Sequence, residues 1–329
     1  MTRPGQTTAP LLDVRDLTVE FRTSEGVIKA ASGVSFDLNR GEIVALVGES
    51  GCGKSVTAMA ILRLIDDPPG RITDGEIHFD GRDLLREPIE TIQAIRGDRI
   101  AMVFQEPMNS LNPVHTIGDQ VLEPLHLHKG LTKSAALARA IALLQSVRIS
   151  DPARRYGDYP HQFSGGMRQR VMIAMGMGCV PDIVIADEPT TALDVTIQAQ
   201  LLELLKEQVD RQHTAMLLIT HNLGIVARYA DRVNVMYAGR IVESASADDI
   251  YDRPSHPYTI GLLQSVPRLD RPVTEKLVPI EGQPPDPLDL PPGCPFQPRC
   301  RFATDVCLRE DPPLRRLDDT HEIACWVDV

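Results

Sequence analysis

The sequence predicts an α/β fold: a phosphate-loop core with an antiparallel β subdomain, a helical subdomain and a small irregular C-terminal extension. Three observations predict it. Residues 48–55 read GESGCGKS and satisfy G-x-x-x-x-G-K-[ST] without mismatch; a strand pattern, EIVALV at 42–47, precedes them and a helix pattern, SVTAMAILRLI at 55–65, follows. A second apolar run, IVIADE at 183–188, ends on the acidic pair that such a loop needs to hold Mg²⁺. Strand and helix patterns alternate over residues 1–265, whereas 266–329 hold 12 of the 26 prolines, which sets a boundary near Val266.

In chain order, LLDVRDLTVEF (11–21) and VSFDL (34–38) alternate as strands, and GEIHFDG (75–81) is a further short strand between glycines. They form an antiparallel sheet beside the core. In the phosphate loop, Gly48, Gly51 and Gly53 let backbone N–H groups, including those of Glu49, Ser50 and Cys52, face phosphates. Lys54 pairs with the outer phosphates and Ser55 reaches the metal ion, so the chemistry is phosphoryl transfer or hydrolysis. From Thr132 a capped helix is signalled, with Leu137, Ile141, Leu144 and Val147 on one face, inside an all-helical insertion of roughly 105–175. No repeat and one phosphate loop mean one nucleotide-binding unit per chain. HQFSGGMRQR (161–170) places two glycines at the start of the helical run VMIAMGMG; a helix start of this kind is an anion site, or simply a capped helix.

Composition narrows the class. The 34 Lys and Arg stand against 45 Asp and Glu, a net charge of −11, which argues against nucleic acid as a partner. No apolar run reaches the roughly 18 residues of a membrane span, and MTRPGQTTAP lacks the layout of a signal peptide. The expectation is a cytosolic chain that meets membrane only through partners. Cys52, in the loop, has two readings: a thiol of lowered pKa whose oxidation blocks nucleotide binding, or a tolerated small spacer.

Between and after the two phosphate-site runs, five features follow in order: Gln105 in MVFQEP, the SGG turn, Asp187-Glu188, TALD at 191–194, and His221 after TAMLLIT. Taken alone, Gln105 reads as a surface polar residue, His221 as a structural histidine, Asp187 and Glu188 as a helix-start pair, and Phe21 as strand core. With the phosphate loop, this order resembles the ATP-binding subunit of an ABC transporter over essentially the whole chain. The resemblance implies that Phe21 stacks on adenine, and that Gly48, Glu49, Ser50, Gly51, Cys52, Gly53, Lys54 and Ser55 cradle the phosphates of ATP. It further implies Mg²⁺ held by Ser55, Gln105 and Asp187, Glu188 acting on the attacking water, and His221 at the γ-phosphate. Ser164, Gly165 and Gly166 would serve the nucleotide of a facing subunit, so hydrolysis needs a dimer, and Asp194 would be a further nucleotide-binding residue. One departure is Phe163-Ser164-Gly165-Gly166-Met167, where the commoner signature begins with leucine and ends with glutamine.

Four of the six cysteines lie in the last 36 residues with spacing C-x5-C-x6-C-x17-C. Four thiolates in a proline-rich segment that cannot form a core suggest a metal centre, and zinc and an iron–sulfur cluster both accept four cysteines. Zinc modules usually bring C-x2-4-C pairs, absent here. HPYTIGLLQSVPRL (256–269) and this tail together resemble the extension of peptide-importer ATP-binding subunits of the oligopeptide, dipeptide and nickel type. That resemblance implies a [4Fe-4S] cluster on Cys294, Cys300, Cys307 and Cys325, with His256 and Tyr258 packing the tail. EPMNSLNP (106–113) would lie beside the groove where a membrane subunit docks.

The resulting expectation is an ATPase that powers peptide import, with residues 1–265 as nucleotide-binding domain and 266–329 as extension. Its partners are a second, paralogous ATP-binding subunit, two membrane permeases and, indirectly, an extracytoplasmic solute-binding protein. It would sit peripherally on the cytoplasmic face of the inner membrane. Rival readings are a nickel or other solute importer, an exporter motor, and a soluble ABC ATPase acting on ribosomes or DNA.

Overall fold

In a computed structural model, residues 9–105, 110–190, 195–265 and 279–329 are described. They fall into two compact units, one containing 43–87 and the segments N-terminal to 39 and C-terminal to 220, the other containing 40–42 and 88–219.

The first unit holds two sheets. In the antiparallel one, Val27–Leu38, Leu12–Arg22, Gly70–Phe79 and Arg82–Asp83 lie side by side in that order. Leu12 and Val14 are buried, then Leu17 and Val19. That switch from even to odd numbers would turn the second pair outward, but a register shift between Val14 and Leu17 restores the facing, with Asp16 at φ 48°. The expected antiparallel sheet is therefore present. Its second strand starts earlier than the 34–38 expected, because exposed Val27 and half-buried Ile28 pair with Arg22 and Phe21 at the open end.

In the other sheet, Ile43–Val47 runs parallel to Arg232–Tyr237, which turns back into Arg240–Ser246 through Ala238 (φ 46°) and Gly239 (φ 83°). Every residue of Ile43–Val47 is buried, the unbroken apolar run of an interior parallel strand. Glu322–Ile323 adds to Arg240–Ser246, and Arg315–Arg316 adds to Glu322–Ile323. The extension does form core, contrary to the expectation from its prolines. Phe296 is 3% exposed and packs with Tyr237, Tyr258, Val235 and Ile250.

The second unit carries three parallel strands, Ile100–Val103, Ile183–Asp187 and Ala215–Thr220. Helices Ile117–Lys129, Lys133–Ser146, Gly165–Met177 and Val195–Gln212 accompany them. The first three start on Thr116, Thr132 and Ser164, whose hydroxyls accept N–H bonds from Asp119, Ala135 and Met167. Thr132 was expected as a cap, but the buried face differs from the expected one. Ala136, Ala140, Leu143, Leu144 and Val147 are buried, Ile141 is half-buried and Leu137 is 40% exposed. The alanines occupy the inner stripe because small side chains let neighbouring helices come close; hydrophobicity alone would select the leucine.

Candidate nucleotide-binding site

In the first unit, the phosphate loop joins Ile43–Val47 to the helix Lys54–Ile61. Gly53 has φ 106°, and a Cβ there would collide with the Ala30 carbonyl oxygen. Only glycine fits. A Cβ on Gly48 would strike the Met236 carbonyl, so the loop lies directly on the end of the strand Arg232–Tyr237. Lys54 is 4% exposed, and its Nζ donates to the carbonyls of Gly48 (2.8 Å) and Glu49 (2.9 Å). The ammonium is thereby held over the loop it serves. Ser55 follows as the second residue of the helix. Ser50, Gly51 and Cys52 line a cavity of about 230 Å³ with Lys29, Tyr237 and Pro284.

Burial pushes the Cys52 thiol up, and the nearby Lys54 only partly offsets this. The activated-thiol reading of Cys52 is thereby corrected: the side chain is buried, with its sulfur 3.7 Å from the Lys54 ammonium. Desolvation outweighs the cation. Phe21 is half-buried on its strand, opposite Ile28 and Gly70, with its ring against Gly70. His221 is exposed between the strand Ala215–Thr220 and the helix Leu223–Tyr229.

In the second unit, Asp187 ends the strand Ile183–Asp187 and is 5% exposed. Glu188 takes φ 43°, rare for a residue with a Cβ, and its N–H donates to the Ile219 carbonyl at 2.9 Å. Its Oε2 accepts a hydrogen bond of 2.8 Å from Gln105 Nε2. Two expected site residues, 83 positions apart, are thus brought together. Ser164 and Gly165 are exposed at the start of the helix Gly165–Met177, and Gly166 lies against Ile197. Phe163 is 3% exposed with the Arg155 guanidinium over its ring, so the replacement for leucine still anchors the turn. Asp194, the rest of TALD and Glu106 to Asn109 of the docking segment lie outside the described residues, as does the boundary at Val266.

Two residues that sequence reasoning did not assign to the loop reach it. The Tyr258 hydroxyl accepts the Glu49 N–H (2.9 Å), and Arg299 makes a two-pronged ion pair with the Glu49 carboxylate (2.7 and 3.1 Å). HPY at 256–258 was a visible motif; nothing local marked Arg299.

The chain is similar to known proteins over nearly its whole length. Residues 31–191 match the ABC transporter family, and residues 242–307 match the C-terminal region of oligopeptide/dipeptide transporters. The dipeptide transport ATP-binding protein DppD of Bacillus subtilis is 52% identical, covering 96% of this chain and 94% of the relative. The chain belongs to the ABC transporter ATP-binding proteins. Another ABC relative, the oligopeptide transport ATP-binding protein OppD of Haemophilus influenzae, is 48% identical over 97% of this chain and 98% of its own. The ATP-binding cassette MJ0796, solved as a dimer in a post-hydrolysis state with ADP and Pi, is 27% identical with a TM-score of 0.64. It covers 72% of this chain and 98% of its own. As an ABC ATP-binding protein the chain is an ATPase, with ATP and Mg²⁺ as its cofactors. No helix among the described residues is long and apolar enough to cross a membrane.

The four tail cysteines line one small cavity with His256, Phe296 and Trp326. Burial raises the Cys294 thiol to about 11, with the other three cysteines adding to the rise. The cavity measures only about 10 Å³, roughly room for one water molecule. Among the described residues, no group of three or more His, Cys, Asp or Glu is set to hold a metal ion. The expected [4Fe-4S] centre on Cys294, Cys300, Cys307 and Cys325 therefore has its donors together but no ready-made space.

Proposed function

We propose that this chain is the ATP-hydrolysing subunit of an ABC importer of di- or oligopeptides. The observation that carries this reading is that one chain joins an ABC cassette to an extension matched by oligopeptide/dipeptide transporters. The named relatives, DppD and OppD, support peptide as the cargo. Two permeases and a solute-binding protein complete the system, with this chain peripheral on the cytoplasmic face of the membrane. Residues 1–265 act as the nucleotide-binding domain, with the helical part at roughly 105–175, and 266–329 as the extension.

Gly48 to Ser55 cradle the phosphates, and Lys54 pairs with the outer ones. Ser55, Gln105 and Asp187 would hold Mg²⁺, which when bound offsets charge on the phosphates. Glu188 takes the proton of the attacking water, and the Gln105 amide on its carboxylate orients it. His221 contacts the γ-phosphate and Phe21 the adenine. Ser164, Gly165 and Gly166 act on the nucleotide of the facing, paralogous subunit, consistent with the dimeric state of the cassette MJ0796, and Asp194 is a further nucleotide-binding residue. For the tail we retain a four-thiolate [4Fe-4S] centre as a proposal; its support is that all four cysteines line one cavity.

The test is transport. Complex reconstituted in vesicles with its permeases and binding protein should take up di- or oligopeptide only with ATP; ATP-driven uptake of nickel and not peptide would overturn the cargo. Anaerobically purified protein should contain iron and sulfide, and zinc without iron would remove the cluster.

A further inference from the structure

We infer that Arg299 is a positioning residue for nucleotide binding: with Tyr258 it fixes Glu49, so the C-terminal extension sets the shape of the phosphate loop. This rests on reading 48–55 as the phosphate site. Glu49 is held at every polar group. Its N–H goes to the Tyr258 hydroxyl at 2.9 Å, its carboxylate to both outer nitrogens of Arg299, and its carbonyl accepts from Lys54 Nζ at 2.9 Å. One residue therefore connects the extension to the lysine that meets the phosphates.

Both holding groups are themselves immobilised. The Arg299 side chain is 4% exposed; its Nε donates to the Glu281 carbonyl (3.1 Å) and its guanidinium lies over the rings of Tyr237 and Phe296. Tyr258 is fully buried, with ring centroids 4.6 Å from Tyr237 and 5.5 Å from Phe296. A planar guanidinium fork fixes the carboxylate in orientation as well as distance, which an ammonium would not. A glycine-rich loop has little stiffness of its own, so restraint from behind lowers the cost of ordering it around phosphate. The turn Gln297–Arg299 is bracketed by Cys294, whose carbonyl accepts the Gln297 N–H at 3.0 Å, and by Cys300, whose N–H donates to the Gln297 carbonyl at 3.2 Å. The extension thus reaches the loop through a rigid piece of backbone.

The experiment measures ATP affinity by calorimetry on the full chain, and KM and kcat on the assembled transporter. The variants are Arg299→Ala, Arg299→Lys and Tyr258→Phe, with Lys54→Ala as reference. Arg299→Ala should weaken ATP binding roughly tenfold and Tyr258→Phe about threefold. KM should rise with kcat retained, because ground state and transition state lose the same loop geometry. Arg299→Lys, which restores charge without the fork, should recover only part of the loss. Folded Arg299→Ala and Tyr258→Phe proteins with wild-type ATP affinity and KM, even with a lower Tm, would overturn the inference. If Arg299→Ala does not fold, Tyr258→Phe decides alone, since it removes one hydroxyl and keeps the packed ring. Wild-type ATP binding by Lys54→Ala would instead sink the phosphate-loop reading itself, so the two failures are distinct.

Discussion

Glu243 is the most consequential buried acid in the first unit, and its removal has a calculable effect. It projects from the strand Arg240–Ser246 with no exposed surface. Its carboxylate accepts the Ser255 N–H (2.6 Å), the His256 N–H (3.1 Å) and His321 Nε2–H (2.8 Å). Glu243→Ala leaves two backbone donors and one imidazole donor buried without an acceptor. At about 1–3 kcal/mol for each abandoned group, the loss is roughly 4 kcal/mol. With a urea slope of about 3 kcal/mol per molar, the midpoint should fall by about 1.3 M. Trp326, the only tryptophan, reports the transition, because its indole N–H donates to Glu310 in the same extension. Glu243→Gln keeps an oxygen acceptor and should lose about half as much, roughly 2 kcal/mol. A midpoint shift for Glu243→Ala below about 0.3 M would refute the reasoning, since it would mean that those three donors find other partners.

Gly53→Ala should lower ATP affinity about tenfold or more, since the new Cβ must displace the Ala30 carbonyl or the loop; calorimetry checks it, and unchanged affinity would be contrary. His256 supplies a pH dependence. Its Nδ1 accepts the Tyr258 N–H at 3.0 Å, and burial lowers its pKa to about 4. The unfolded chain takes up this proton from about pH 6.5 downwards while the folded chain does not, so stability is full above 6.5 and declines as pH falls towards 4. The loss at pH 5 is about 2 kcal/mol, and His256→Asn, which can still cap the helix, should lose this part of the slope. Identical slopes in urea titrations of the two proteins would be contrary.

What could be read from the sequence was local. The loop at 48–55, the acidic strand end at 187–188 and the Ser164 cap each depend on residues within a few positions of one another, so their spacing encodes their geometry. Gln105 was legible by order and company, although its 2.8 Å bond to Glu188 spans 83 residues. The misses share a different cause. Leu137 was chosen over Ala136 and Ala140 because periodicity measures hydrophobicity, whereas close helix packing selects for size. Cys52 is not one of them, since the small spacer was the favoured of its two readings and burial raises the thiol. The extension looked coreless because its stabilising partners, Tyr237 and Tyr258 for Phe296 and Glu243 for His321, lie far back in the chain.

The central claim is that ATP is hydrolysed here with Glu188 acting on water. Glu188→Gln, assayed for ATP binding and steady-state turnover in the assembled transporter, tests it most directly. ATP should still bind with near wild-type affinity, while turnover falls by about 10²-fold or more, the usual worth of a positioned general base. Turnover near the wild-type rate would contradict the account.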